Sequence, residues 1–546
     1  MLYSIIRSFV VLLFLVGTTA ASAHHSYLIS GSAVGNGFVE SDSIQISPTG
    51  EHVLFLVANE DENMTELYSA PSAGGSVTRL NDTLVLNGDV SGFQISPDGS
   101  RVVYYGDQNT DGISELFSVP IEGGVVTRLN PDLVAGGRVF SDYKISSDSA
   151  YIVYRADQTT DDLEELYQVA ITGGASTRLS STLVTDGDVL NFKISQDSAR
   201  VVYQADQTID TVNELHSVAI TGGTVTKLNP PLVSGGTVGS FQISPDNAYV
   251  VYYADQVTDG LIELYSVPTI GGTSTQLNET LAAGERVFFG ALISPDSNHV
   301  VYIADQTTDD VVEVYSVPIA GGSSTRLNGN LIIDGDVFSY QISADSVHVV
   351  YSADQATDTV VELYSVSITG GVAVKLNADM VVGGDMTTNI QISPDSSQVV
   401  YLADQETDGV NELFSTPITG GVNVKVSDAL IAGGTVSQFG ISPDGMRVVY
   451  TANQIIVTTT ELFSAPIGGE TEEDAVFRLN DNLAAGGAVE SGILISPNSL
   501  FAVYSAHQQS EGTLEVFGAA LLEPELPEDF CVAIKASNSN VLAFCL

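Results

Sequence analysis

Residues 95–130, ISPDGSRVVYYGDQNTDGISELFSVPIEGGVVTRLN, form a phrase that returns with small changes along most of the chain. Within it, the run RVVYY at residues 101–105 places apolar side chains on both faces of an extended strand, because successive side chains of a strand point to opposite sides. Such a strand is stable only when both faces are covered. The phrase therefore predicts a β-strand that lies between two neighbouring layers of the protein.

The rest of the phrase, together with the residues leading into Ile95, predicts three further strands and the turns between them. These strands are SGFQIS, which contains Ile95, ELFSV at residues 115–119 and VVTRL at residues 125–129. Gly123-Gly124 suits a tight hairpin because glycine readily adopts positive φ, and Pro97-Asp98-Gly99 is a typical turn sequence. Each repeat is therefore predicted to be a four-stranded antiparallel meander.

Ten copies of the repeat follow one another. Their anchor isoleucines are Ile46, Ile95, Ile145, Ile194, Ile243, Ile293, Ile342, Ile392, Ile441 and Ile495. The spacing is 49 or 50 residues, except for a last step of 54. This period is typical of a β-propeller blade, and double-sided apolar strands fit blades that pack face to face. The even spacing without a linker favours one all-β ring of about ten blades over two five-bladed rings.

The phrase ISPDG-x-x-VVYYGDQ, followed by ELFSVP and GG-x-x-T-R-L-N, resembles the WD40-like (PD40) β-propeller repeat of the TolB-type family. The resemblance covers about the whole chain after residue 23, and it implies a propeller fold without implying an activity. Several copies depart from the SPDG turn of the family. In these copies a serine replaces the glycine, at Ser149, Ser198, Ser346 and Ser499.

Residues 1–23 predict a secretory signal peptide. Their apolar run FVVLLFLV is too short to span a bilayer, and Ala21-Ser22-Ala23 matches a cleavage site. We expect the mature chain to begin at His24 and, with no second long apolar stretch, to have no membrane span. The protein is therefore predicted to be exported, either to the periplasm or outside the cell.

The predicted propeller occupies residues 24–521, and a ring of blades needs its ends joined. Residues 27–30 lie where a fourth strand would lie, counting back from Ile46, while the tenth copy has no Gly-Gly hairpin after its third strand. The N-terminal strand is therefore expected to complete the tenth blade and close the ring.

Residues 522–546 predict a C-terminal hairpin whose arms carry Cys531 and Cys545, the only cysteines of the sequence. In an exported chain, two cysteines at this separation are expected to form a disulfide. A disulfide that closes a loop of this size stabilises a protein by about 3 kcal/mol.

Composition limits the partners of the protein. The formal net charge is −49, from 67 acidic and 18 basic residues. Such a surface repels nucleic acid and anionic lipid. We therefore expect the partner to be another protein or an extracellular polymer, with no nucleic acid involved.

The predicted hairpin between the second and third strands carries the most distinctive chemistry. Residues 107–115 read D-x-N-x-D-G-x-x-E, a spacing that resembles the calcium loops of integrin-type propellers, where alternate oxygens converge on one hard cation. The four candidate ligands in this loop are Asp107, Asn109, Asp111 and Glu115. The corresponding candidates in a second loop are Asp404, Glu406, Asp408 and Glu412.

The three-carboxylate frame recurs in five other copies, which are Asp157/Asp161/Glu165, Asp206/Asp210/Glu214, Asp255/Asp259/Glu263, Asp305/Asp309/Glu313 and Asp354/Asp358/Glu362. Duplication explains this recurrence as well as metal binding does, and Val257 or Ala356 at the third position supplies no ligand. In the structural alternative, the first Asp ends a strand, the second Asp caps the turn and the Glu starts the next strand facing solvent. A calcium site and a structural turn both stay open.

Catalysis finds little support in the sequence. The histidines are scattered, at His24, His25, His52, His216, His299, His348 and His507, and no G-x-S-x-G motif is present. No catalytic residue is therefore predicted. The residue after the V-Y pair of the second strand varies most between copies, and it either lines a partner surface or is unconstrained. It is Tyr105, Arg155, Gln204, Tyr253, Ile303, Ser352, Leu402, Thr451 and Ser505 in successive copies.

These observations favour an exported, non-catalytic β-propeller that serves as a scaffold for binding a protein or another ligand. Two alternatives stay open. One is a calcium-binding, adhesion-type propeller, and the other is an enzyme that acts on carbohydrate or peptide.

Overall fold

The computed structural model of the chain describes residues 26–31, 37–59, 64–470, 475–490, 492–509 and 513–522, and the backbone of residues 531–535 and 541–545. Within these ranges, ten antiparallel sheets form ten blades in one ring, so the propeller fold predicted from the repeats is confirmed. No helix of the described residues is long and apolar enough to cross a membrane. The predicted signal peptide lies outside the described ranges.

In blades 1 to 9 the strands of each meander follow one another along the chain, whereas blade 10 takes its fourth strand from the N-terminus; the blades are numbered in chain order. The strands of blades 1 to 3 are Phe38–Val39, Gln45–Ile46, His52–Asn59, Met64–Pro71 and Thr78–Arg79; Val90–Ile95, Arg101–Gly106, Glu115–Pro120 and Thr127–Arg128; and Lys144–Ile145, Tyr151–Ala156, Glu165–Ala170 and Thr177–Arg178. Those of blades 4 to 6 are Val189–Ile194, Arg200–Ala205, Glu214–Ala219 and Thr226–Lys227; Val238–Ile243, Tyr249–Ala254, Glu263–Pro268 and Thr275–Gln276; and Leu292–Ile293, His299–Ala304, Glu313–Pro318 and Thr325–Arg326.

The strands of blades 7 and 8 are Val337–Ile342, His348–Ala353, Glu362–Ser367 and Val374–Lys375; and Met386–Ile392, Gln398–Ala403, Glu412–Pro417 and Val424–Lys425. Those of blades 9 and 10 are Val436–Ile441, Arg447–Ile456, Thr459–Pro466 and Phe477–Arg478; and Leu494–Ile495, Phe501–Ala506, Glu515–Ala520 and Tyr27–Leu28. Blade 1 has five strands because a 3-10 turn at Ser41–Ser43 divides its first strand. The tail forms a separate hairpin of Cys531–Lys535 and Val541–Cys545.

The second and third strands of each blade form the core. Val102, Val103 and Tyr104 of blade 2 are all fully buried, because blades 1 and 3 cover the two faces of this strand. The Tyr104 ring stacks on Phe117 across the two strands, with centroids 5.1 Å apart, and an equivalent ring pair recurs in every blade. Each such pair stabilises the fold by about 0.5–1.5 kcal/mol beyond the contribution from burial of its apolar area.

The first strands of neighbouring blades approach one another and line the centre of the ring. Gln94 in the first strand of blade 2 donates a hydrogen bond from Nε2 to the carbonyl oxygen of Tyr143 in blade 3, at 2.8 Å. Gln242 makes the same bond to the carbonyl of Ala291 in the next blade, at 2.6 Å. These side-chain bonds join adjacent blades where the blades come closest.

The N-terminal strand closes the ring, as the sequence predicts. Tyr27 pairs with Gly518 and Leu28 pairs with Phe517, so the strand completes blade 10 as its fourth member. The Ile29 amide continues the pairing by donating to the Val516 carbonyl, at 2.8 Å. Apolar side chains of blades 10 and 1 then share one buried cluster.

The turn between the first and second strands links each blade to the next. In blade 2, Ser96 Oγ donates to Asp98 Oδ1 at 2.6 Å, and the Asp98 amide donates to Ser149 Oγ of blade 3 at 3.0 Å. Ser149 itself has a φ of 59°, in the left-handed region. The serines that replace the expected glycine therefore gain an inter-blade hydrogen bond, and this bond offsets the cost of the left-handed backbone.

The glutamate that begins the third strand is buried and paired, so the solvent-facing position of the structural alternative is wrong. Glu115 lies 2.9 Å from Nη1 of Arg128 in the fourth strand. Equivalent ion pairs are Glu66–Arg79, Glu165–Arg178, Glu214–Lys227, Glu313–Arg326, Glu362–Lys375, Glu412–Lys425 and Glu461–Arg478. Two blades differ: Glu263 of blade 5 accepts a hydrogen bond from Gln276 at 2.6 Å, and Glu515 of blade 10 has no ion pair among the described residues. The Glu515 Oε2 has no hydrogen-bond partner within the described ranges, and burial raises the pKa of this carboxyl group.

One position in the turn after the second strand is left-handed in blades 2 to 8. It lies five residues after the first Asp of the frame, and its occupants are Gly112, Asp162, Thr211, Gly260, Asp310, Thr359 and Gly409, with φ between 60° and 77°. Glycine adopts this conformation freely, whereas a β-branched threonine is strained in it. Blade 9 lacks the frame, and its second and third strands extend into a longer hairpin that Ile456 and Thr459 close.

We predict that Glu515→Gln raises the thermal midpoint at pH 7. The folded state raises the pKa of this carboxyl group, so ionised Glu515 lowers stability above the folded pKa, and the penalty disappears once the pH falls below the ordinary value of about 4.3. Scanning calorimetry at pH 7 and near pH 4 measures the effect. Glu313→Gln is the control and should lower the midpoint at pH 7, because it breaks the 2.8 Å pair with Arg326. A lower midpoint for Glu515→Gln at pH 7 would contradict this account.

Thr359→Gly is predicted to stabilise the protein by about 0.5 kcal/mol, because relief of about 1–2 kcal/mol of left-handed strain exceeds the entropic cost of glycine. Ala356→Gly, in the same loop and without a positive φ, should instead destabilise by about 0.5–1 kcal/mol. Denaturant titration of the two variants compares their stabilities. Equal destabilisation by both would show that Thr359 is unstrained.

Candidate functional site

The acidic loops lie on one face of the ring. In an antiparallel meander, the connection after the second strand and the connection after the fourth strand leave from the same end of the blade. The loops that begin at Asp107 and its equivalents therefore share a face with the segments that join consecutive blades. We call this the acidic face. The Ser-x-Asp turns and the Gly-Gly turns lie on the opposite face, the turn face.

The first candidate calcium loop is held together by its own hydrogen bonds. Asp107 accepts the Asp89 amide at Oδ1, at 2.6 Å, and the Gly112 amide at Oδ2, at 2.8 Å. Asn109 Nδ2 donates to Glu115 Oε2 at 2.8 Å, while Glu115 Oε1 faces Arg128. Within the described part of the chain, the carboxylates of this loop do not converge as a group of three. The first Asp therefore caps the turn, a role that the sequence analysis gave to the second Asp.

A lysine occupies the middle of the second candidate loop. Lys425 Nζ lies 3.2 Å from Glu406 Oε2 and also contacts Glu412 Oε1. Asp404 Oδ2 accepts the Gly409 amide at 2.8 Å, as Asp107 does in blade 2. The structure thus brings Glu406 and Glu412 together around an ammonium group and holds Asp404 against the backbone.

Carboxylates do converge in two other loops. Asp157, Asp161 and Asp162 of blade 3 each offer an oxygen within 4.8 Å of the others, and so do Asp305, Asp309 and Asp310 of blade 6. In both sets the third member is the left-handed residue of the turn, and the frame glutamate is not included. The sequence carries the signal, because aspartate replaces glycine or threonine at this position in these two loops.

The described histidines lie in different blades, numbers 1, 4, 6, 7 and 10. His216 stacks on Tyr203 at 5.2 Å, and burial lowers its pKa to about 4, so it is neutral at pH 7. His507 Nδ1 lies 3.4 Å from Glu490 Oε1, and His299 and His348 begin the second strands of their blades. These positions place each described histidine in the packing of its own blade.

The variable residue of the second strand contacts the next blade. Arg155 Nη1 donates to the Val189 carbonyl at 2.7 Å, and Gln204 Nε2 donates to the Val238 carbonyl at 2.5 Å. The Tyr253 hydroxyl likewise reaches the Phe288 carbonyl, at 2.9 Å. Most members of the set are buried. This position therefore varies to fit the neighbouring blade, and it does not form a partner surface.

Apolar side chains, some of them exposed, lie at or just before the start of the first strands on the acidic face. Val90 and its equivalents pair with the end of the second strand, and the next residue is Phe140, Leu190, Phe288 or Phe338 in blades 3, 4, 6 and 7. The same position is polar in blades 2, 8, 9 and 10, at Ser91, Thr387, Ser437 and Glu490. We define the apolar arc as Phe140, Leu190, Phe288, Phe289 and Phe338.

Phe289 extends the apolar arc from blade 6 towards blade 5. Phe289 lies over Gly239 of blade 5, where an added Cβ would meet its ring at 3.5 Å, and it packs on Tyr253 with centroids 4.8 Å apart. A groove of about 500 Å³ lies beside it, between Gly260–Ile262 and Gly284–Phe289. Leu190, Phe289 and Phe338 are 41%, 59% and 47% exposed.

Two arginines accompany the apolar arc. The Arg286 guanidinium lies over the Phe288 ring at 4.7 Å, and the Arg138 guanidinium lies over Phe140 at 4.9 Å. Both arginine side chains are exposed. The arrangement offers aromatic area and positive charge on one arc of a strongly acidic protein.

No protein-family model matches the chain, and no curated protein matches it significantly in sequence. Among solved structures, putative TolB from Agrobacterium tumefaciens is 19% identical over 46% of this chain and 83% of its own, with a TM-score of 0.28. Dipeptidyl peptidase 4 from Porphyromonas gingivalis is 10% identical over 78% of this chain and 66% of its own, with a TM-score of 0.47. A structure from a study of two prolyl endopeptidases is 14% identical, with a TM-score of 0.37, and the match covers 67% of this chain and 54% of that protein. The chain thus spans about half the length of the endopeptidase.

Proposed function

We propose that this protein is an exported, non-catalytic β-propeller that serves as a scaffold and binds another protein or an extracellular polymer through the apolar arc. The observation that carries the proposal is the exposure of Leu190, Phe289 and Phe338 on one arc of the acidic face. The chain is rich in polar residues, with a net charge of −49, and other blades carry a polar residue at the equivalent position, for example Ser91 and Ser437.

The chemistry of the arc is that of a binding surface. Aromatic residues and arginine are enriched at the centres of protein interfaces, where they bury a large area and still form polar contacts. Arg138 and Arg286 are two of only 18 basic residues, and both stack on rings of the arc. The groove beside Phe289 adds a concave site next to the exposed rings. A partner with acidic and apolar groups fits this arc.

Other features of the chain support export of the protein and membership of its repeats in a known family. We infer that the repeats belong to the WD40-like (PD40) family, because the Ser-x-Asp turn and the double-sided strands hold the blades together. The leader at residues 1–23 supports export. The backbone of Cys531 pairs in register with that of Cys545, which supports the predicted disulfide between the two cysteines.

A comparison of three proteins tests the proposed surface. The immobilised full chain, a Phe289→Ser/Phe338→Ser variant and a Val372→Ser/Val422→Ser control are each incubated with the exported fraction of the source cells. The control residues follow Gly-Gly turns on the turn face and are 90% and 79% exposed. We expect the wild type and the control to retain the same partner, identified by mass spectrometry. The arc variant should retain at least tenfold less of that partner than the wild type.

Equal retention by the arc variant would refute the role of the arc. The same three proteins are assayed on peptide and polysaccharide panels. Hydrolysis by the wild type would refute the non-catalytic part of the proposal and support the enzyme alternative.

A further inference from the structure

The two loops with converging carboxylates differ from the other acidic loops in one hydrogen bond. In five blades, the second oxygen of the first Asp accepts the amide five residues later, at 2.8–3.3 Å. These bonds are Gly112 to Asp107, Thr211 to Asp206, Gly260 to Asp255, Thr359 to Asp354 and Gly409 to Asp404. The bond neutralises part of the buried carboxylate charge and completes the turn.

Blades 3 and 6 have an aspartate at the amide-donating position. The amides of Asp162 and Asp310 make no such bond within the described part of the chain, and their carboxylates join those of Asp157/Asp161 and Asp305/Asp309. Three negative charges within 4.8 Å repel one another strongly, because at such separations the Coulomb energy is large even near a protein surface.

A second observation points to a missing partner in blade 6. Asp305 is 1% exposed, and Oδ2 of its carboxylate has no hydrogen-bond partner among the described residues. Oδ1 accepts the Arg286 amide at 2.5 Å, so Oδ2 is the free oxygen. In the other blades this oxygen points to the amide five residues later, which is the position of Asp310, so it faces the carboxylates of the loop. A buried, charged oxygen without a partner is costly.

Arg286 makes only a long ion pair with this oxygen and no hydrogen bond. Its Nε lies 3.9 Å from Asp305 Oδ2, beyond hydrogen-bond distance, and its guanidinium lies over the Phe288 ring with most of the side chain exposed. The frame glutamates also have other partners, because Glu313 pairs with Arg326 and Glu165 pairs with Arg178. The three aspartates of the blade 6 loop are therefore left to hold a cation.

We propose that Asp305, Asp309 and Asp310 of blade 6 bind one calcium ion. Calcium lies about 2.3–2.6 Å from its oxygen ligands, so two ligands on opposite sides of the ion lie up to about 4.6–5.2 Å apart. Oxygens that lie within 4.8 Å of one another are compatible with this span, and calcium accepts carboxylate ligands in flexible geometry. The proposal concerns another loop than those at Asp107 and Asp404, and it does not depend on the proposed function of the apolar arc.

Equilibrium dialysis against radioactive calcium tests the proposal on the full chain. The buffer contains about 0.15 M NaCl, where exposed carboxylates are screened, and free calcium reaches about 1 mM, within the range of extracellular calcium modules. We expect one saturable calcium ion per wild-type chain. Asp162→Gly/Asp310→Gly, which copies the Gly112, Gly260 and Gly409 loops, should bind none.

The matched control is Asp259→Asn/Asp408→Asn, which removes the same two charges from loops whose first Asp is capped by an amide. It should still bind one ion. Calcium should also raise the thermal midpoint of the wild type and of the control relative to a chelator, and it should leave the Asp162→Gly/Asp310→Gly variant unchanged. No saturable binding by the wild type, or equal binding by the wild type and Asp162→Gly/Asp310→Gly, would overturn the proposal. Equal loss in the control would overturn it as well, because binding would then follow net charge alone.

Discussion

The whole molecule depends on the burial of both faces of the second and third strands. Val102 and Val103 point to opposite sides of one strand, and each is fully buried against a different neighbouring blade. A blade of this kind cannot be stable alone, because the apolar side chains of both faces would be exposed to water. Every blade therefore needs two neighbours, the row of blades must close, and the strand Tyr27–Leu28 joins the first repeat to the last.

A second, polar layer fixes the geometry of each repeat. Tyr104 donates to Gln108, Glu115 pairs with Arg128, and Asn130 accepts the Leu116 amide. These polar residues of the repeated phrase therefore have structural roles. Buried polar groups of this kind stabilise the fold only when they are fully paired. Conserving the frame between copies therefore follows from packing, and the functional differences between blades lie in the few positions where the copies depart from one another.

The sequence predicted the fold in detail and the sites only in part. Period-2 runs, turn residues and a fixed spacing are local signals, so the ten blades and the closing strand followed from them. The partners of Asp107 and Glu115 are not local. The Asp89 amide and the Arg128 side chain reach them from other strands, and no spacing rule shows that these carboxylates are already occupied. The decisive difference at Asp162 and Asp310 was present in the sequence, but it has a meaning only once the amide bond of the sister loops is known. The apolar arc needed the ring itself, because Phe289 and Gly239 belong to different repeats.

Closure of the ring can be measured by a cross-link between the chain ends. Tyr27→Cys with Gly518→Cys places two thiols at positions that pair directly, and removal of the Tyr27 ring frees the space that a Cβ on residue 518 needs. Cross-strand partners of this kind are close enough for a disulfide. The account predicts that mild oxidation of the folded chain joins the two peptides in nearly all molecules, as mass spectrometry would detect. An open row of blades, or two smaller rings, would leave these thiols far apart and free.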